Sequence, residues 1–149
     1  MMGRCAAFVA GTCGGWLTAG AVTRLPRRFG TAGAATGLLV AAGIYPASRF
    51  RRSAPRRGEI AVVTACGAAL PLVLQLPPRQ ARHLVAVGWL GHAAFDARYH
   101  HAASETALPA WYAALCAGYD IGLGGALLIM NRYSAGKSSL TVDRSRPAT

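Results

Sequence analysis

The feature that most constrains this chain is a series of apolar runs, nearly free of charge and cut apart by short arginine-rich stretches. The runs cover residues 5–22, 30–45, 60–76, 84–99 and 110–130. Crossing a bilayer takes about 20 apolar residues in a helix. In hydrocarbon only helices and closed barrels satisfy their own backbone, and these runs lack the apolar/polar alternation of barrel strands. The expected fold is therefore all-α, a polytopic transmembrane helix bundle. It has five spans, or four if the short Gly/Ala-rich second run, ending at Pro46, is re-entrant. One transmembrane helical domain fills residues 1–130, and residues 131–149 read as a polar disordered tail. The expected location is the cell membrane, as a multi-pass protein.

Composition supports this. Of 149 residues, 53% are hydrophobic and 14% charged, against roughly a quarter charged in an ordinary soluble domain. A formal charge of +11 raises the question of nucleic acid. The arginines, however, sit in connections such as Arg49, Arg51, Arg52, Arg56 and Arg57 rather than along one polar helix face. They suit anionic lipid headgroups better. Residues 5–21 resemble a signal peptide, but the run continues to Val22 and stops at Arg24, Arg27 and Arg28. A retained first helix is the expectation. Basic residues divide almost evenly between the two sides, so charge assigns no orientation.

The four cysteines, Cys5, Cys13, Cys66 and Cys116, are far apart and form no Cys-x-x-Cys pair. Neither a disulfide framework nor a Cys-based zinc site is indicated, and at least the first three read as buried small hydrophobes. Small residues recur four apart at Gly11/Gly15, Gly33/Gly37 and Gly118/Gly122, a spacing that lets helices approach closely. Trp111 and Tyr133 flank the fifth run, about 33 Å of helix apart, which matches a bilayer core with a little interface.

Ionisable side chains inside membrane helices are costly and mark function by default. Here they gather as His92, Asp96, His100, His101 and Asp120, with Cys116 among them. His92, Asp96 and His100 recur every fourth residue, as do Tyr112, Cys116 and Asp120, so each set forms one helical stripe. The short connection makes the two helices antiparallel neighbours. Counting about 1.5 Å per residue from the shared loop puts His92 level with Asp120, and Asp96 level with Cys116.

Three readings compete. In the first, His92, Asp96 and His100 bind a divalent metal, with Asp120 as fourth ligand or as partner to a histidine; His101 and Cys116 are lesser candidates. Imidazole and carboxylate suit Zn²⁺ or Fe²⁺, and an open coordination position allows hydrolysis, here of a lipid-like substrate. In the second, Asp120 and His92 handle protons or substrate in a small transporter. In the third, a His–Asp hydrogen bond only holds helices together. No Gly-x-Ser-x-Gly, Walker A or dinucleotide fingerprint occurs. Gly136-Lys137-Ser138 lacks the upstream glycine and the strand of a phosphate loop.

Family patterns narrow this further. Membrane desaturases and hydroxylases carry many more histidines than the four here. The His-x-x-x-Asp spacing is similar to one motif of the ceramidase-like membrane hydrolases, whose further His-x-x-x-His motif is missing. Gly88-Trp89-Leu90-Gly91-His92-Ala93-Ala94-Phe95-Asp96, His100-His101, then Pro109-Ala110-Trp111-Tyr112, Cys116 and Asp120 resemble a family of small, functionally uncharacterised bacterial integral membrane proteins. That family has a His-x3-Asp-x3-His-His motif followed by a Cys-x3-Asp helix. Phe95 stands where its pattern has Trp. The resemblance covers residues 88–128 and implies a membrane protein with these polar positions, without a known activity.

Overall fold

The computed structural model describes residues 3–49, 53–99 and 106–143. They form five α-helices: α1 Arg4–Arg24, α2 Arg27–Arg49, α3 Arg57–Gln75, α4 Pro78–Tyr99 and α5 Tyr112–Asp143. No strand occurs among the described residues.

The same local device ends α1 and α3. Leu25 and Leu76 each precede a proline, which bars the helical conformation. Both are extended, at φ −74°, ψ 155° and φ −76°, ψ 155°. Each leucine N–H turns back onto a valine carbonyl, Val22 O at 3.3 Å and Val73 O at 3.2 Å. The next helix then starts at once, α4 with Pro78 at its first position, where a missing N–H costs nothing. At α3 the Glu59 carboxylate accepts the Arg56 N–H at 2.9 Å, satisfying one of the free donors of the first turn.

Glycine decides how closely α1 and α5 pack. Ala7, Gly11, Gly15 and Ala19 make the buried stripe of α1. A Cβ added at Gly11 would meet Leu115 O, and one at Gly15 would meet Tyr119 O and Leu123 N. From the other side, Gly118 faces Phe8 O and Gly122 faces Thr12 O. The two helices run parallel with backbones in contact, pinned by a hydrogen bond from Tyr119 Oη to Thr18 Oγ1 at 3.0 Å. Two of the three small-residue pairs thus form one seam. In the third, Gly37 lies against the Trp89 ring, while nothing approaches Gly33.

Helix α4 packs antiparallel against α5 and parallel to α2. Trp89 Nε1 donates to Ala34 O at 3.1 Å, and the Trp89 ring meets Tyr119 edge-on at 5.7 Å. The core around Trp89 holds Ala19, Ala34, Ala35, Val85, Ala86, Leu123, Ala126 and Leu127. Helix α3 leans on α2, and Glu59 is its one buried residue. The larger apolar side chains Leu17, Val40, Ile60 and Leu72 point outward.

Several expectations are corrected. Among the described residues, four helices are long and apolar enough to cross a membrane, α1, α2, α3 and α5 over Tyr112–Arg132. The fourth run, not the second, falls short, because α4 carries Arg79, Arg82, His83, His92, Asp96 and Arg98. The second run does not stop at Pro46; α2 continues to Arg49. A proline one turn from a helix end removes a single backbone bond, and the added turn brings Arg49 to Glu59. Their Nε–Oε1 contact is 2.5 Å, both side chains buried. Arg49 is therefore an interior ion-pair partner rather than a headgroup ligand. Helix α5 runs on through 131–143, residues assigned above to a disordered tail, since extending a formed helix adds one bond per residue fixed. Cys5 and Cys13 are exposed and Cys66 is half-buried, because glycine and alanine occupy the helix contacts instead.

Candidate metal centre

Three helices build the polar site. On α4, Trp89, His92, Ala93 and Asp96 are buried, the inward stripe expected of residues three and four apart. On α5, Asp120 lies among the glycines and alanines that let α1 and α4 close around it. Helix α2 adds Tyr45 from its penultimate turn, buried like the others.

The level pairing expected of His92 and Asp120 is present as a hydrogen-bond contact, Nδ1 to Oδ2 at 2.8 Å. Asp96 Oδ2 stands 3.7 Å from the same Nδ1. One donor atom from each of the three residues lies within 4.8 Å of the other two, and all three residues are buried. Neighbouring ligands around a tetrahedral zinc lie about 3.3–3.4 Å apart, from bond lengths of about 2.0–2.1 Å. The distances of 2.8 and 3.7 Å from His92 Nδ1 to the two carboxylates bracket that value, so these three residues would fit as ligands of one ion.

Hydrogen bonding is incomplete around this group. His92 Nε2 and both Asp96 carboxylate oxygens are buried without a hydrogen bond of good geometry. The polar groups that face Asp96 are the Tyr45 hydroxyl, His92 and Asp120. Two adjacent buried carboxylates repel each other and need compensating positive charge. One dication supplies it; otherwise protons must.

Phe95 shields the site by packing on the His92 ring at 5.8 Å and on Tyr45 at 5.9 Å. A cavity of about 430 Å³ opens beside it between α1, α2, α4 and α5. Ala10, Gly14, Ala41, Ile44, Trp89 and Leu115 give it an apolar wall, and polar atoms reach it from Tyr45, His92, Tyr112, Cys116, Tyr119 and Asp120. This is the composition of a site for a largely apolar ligand with a few orienting groups.

Of the residues proposed from sequence, the structure brings His92, Asp96 and Asp120 together. Cys116 lines the cavity but stands outside the three-residue group, its sulfur facing the Tyr112 hydroxyl. His100 and His101 lie outside the described residues. Sequence reasoning missed Tyr45; the available signal was a phenol ending an otherwise Gly/Ala-rich run. Comparison with protein-family models, with curated proteins and with solved structures finds no match to this chain.

Proposed function

We propose that the chain is a multi-pass membrane protein of the cell membrane whose α4–α5 hairpin holds a divalent transition metal at His92, Asp96 and Asp120. One observation carries the reading: three buried donor residues converge within 4.8 Å, and two of them are carboxylates whose charges need compensation. Alanine and glycine inside with Leu, Ile and Val outside fits a bundle solvated by lipid, where close packing rather than hydrophobicity joins helices.

Mixed nitrogen and oxygen ligation favours Zn²⁺ or Fe²⁺. Three protein ligands leave a position for water, as in metal-dependent hydrolases. The adjoining apolar cavity favours a substrate bearing an acyl chain. A bound ion would supply an activated water for hydrolysis of such a substrate.

The test is a zinc titration of detergent-purified chain against a chromogenic chelator. Wild type is expected to bind one equivalent, with at least tenfold weaker binding in Asp96→Ala and His92→Ala. Unchanged affinity in folded variants overturns the metal reading.

The completed His92–Asp120 contact favours a second reading, a helix lock that also carries a proton. It predicts that Asp120→Asn lowers thermal stability, or abolishes proton flux in vesicles, with no metal dependence.

A further inference from the structure

At the end of the bundle where α1 and α3 finish and α2 and α4 begin, the charged side chains that the structure describes are basic. Arg24, Arg27, Arg28 and Arg79 are exposed, as is Arg132 of α5. Arg82 differs: it is 7% exposed, and its Nε has no hydrogen-bond partner. An inward arginine normally carries a carboxylate, because burying an unpaired cation costs several kcal/mol.

Among the described residues, no carboxylate is near. The hydrogen bond from Asn131 to Arg79 O and the approach of Gly124 to Ala86 O put Arg82 level with Leu128. Asp120 is then about 12 Å deeper along α5, and Asp96 about 21 Å deeper along α4. Glu59 is taken by Arg49 at the opposite end. The charged group that does act on Arg82 is Arg27, another cation.

Thr31 adds an independent sign. It lies one turn beyond Arg27 on the same face of α2, is 5% exposed, and its hydroxyl also lacks a partner. The Trp89–Ala34 hydrogen bond sets the parallel register that brings the start of α2 beside the start of α4. The first N–H groups of α2, a 23-residue helix, add the positive end of its dipole.

We infer that Arg27, Thr31 and Arg82, with the N-terminus of α2, form a binding site for a phosphate group, separate from the His/Asp centre. The guanidinium of Arg82 gives paired donors to two phosphate oxygens, Arg27 covers the outer side, and the Thr31 hydroxyl donates to a third oxygen. The phosphate comes from one of two sources, the headgroup of an anionic phospholipid or a free phosphate. The site's place at a helix end, where a lipid headgroup would lie, suits the first.

The experiment uses the full chain purified in detergent, with two probes. After exchange into vesicles of phosphatidylcholine and phosphatidylglycerol and re-extraction, native mass spectrometry counts retained lipid. In parallel, delipidated protein is titrated with inorganic phosphate while thermal stability is followed. Variants are Arg82→Gln and Thr31→Val, with Arg28→Gln as an exposed control. One retained phosphatidylglycerol per chain, with affinity about tenfold or more weaker in Arg82→Gln, reduced in Thr31→Val and kept in Arg28→Gln, supports a headgroup site. Saturable stabilisation by inorganic phosphate with the same variant pattern, and no retained lipid, supports a free-phosphate site. If Arg82→Gln does not fold, Thr31→Val decides. The inference is overturned if wild type binds neither probe, or if Thr31→Val and any folded Arg82→Gln bind as wild type does.

Discussion

A single added methyl group at Gly15 tests the α1–α5 seam. In Gly15→Ala the new Cβ would meet Tyr119 O and would lie 2.6 Å from Leu123 N and 3.0 Å from Gly122 C. These are backbone atoms and cannot rotate aside. Ordinary carbon contacts are about 3.5–4.0 Å, so the helices must part by roughly an ångström. A gap of that size forfeits about a quarter to a half of each contact's attraction, and overpacking of this kind costs about 1–3 kcal/mol. Gly33→Ala is the matched control. Its Cβ would meet nothing within 4 Å, and alanine's better helix propensity is worth up to about 1 kcal/mol. The assay is unfolding in detergent, by denaturant or heat, followed by far-UV circular dichroism. The expected result is a destabilised Gly15→Ala beside a neutral or slightly stabilised Gly33→Ala. Equal stability of the two variants would refute the seam.

Other consequences are testable in the same preparations. Arg49→Met leaves the Glu59 carboxylate buried without its 2.5 Å partner and is expected to cost about 3–5 kcal/mol; the double variant with Glu59→Leu should recover most of that in the same unfolding assay. Zinc affinity should fall as pH falls, since protons compete for His92, Asp96 and Asp120, by about a hundredfold per pH unit where two protons are displaced; chelator competition at several pH values measures it. Trp89→Phe removes the donor to Ala34 O and should cost about 1–2 kcal/mol in thermal unfolding.

The sequence exposes what depends on neighbours along the chain. Hydropathy marks every helix, and Leu25-Pro26 and Leu76-Pro77 mark two turns, because pre-proline sterics act locally. The level of His92 with Asp120 follows from helical rise and a short connection, so that pair was legible. Contacts between helices distant in sequence were not. Tyr45 reaches the site only because α2 runs parallel to α4, and Arg49 is interior only because α2 continues past Pro46 to meet Glu59. The Gly33/Gly37 spacing looks like the other two glycine pairs, yet packing leaves Gly33 open. Spacing identifies a face able to pack closely and says nothing about which helix takes the opportunity.

The central claim is an ion held by nitrogen and oxygen from α4 and α5. X-ray absorption at the zinc edge, on the purified chain loaded with one equivalent of zinc, measures this directly. The account predicts a first shell of nitrogen and oxygen at about 2.0–2.2 Å with an imidazole signature. Sulfur at about 2.3 Å, or a spectrum unchanged in Asp96→Ala and His92→Ala, would contradict it.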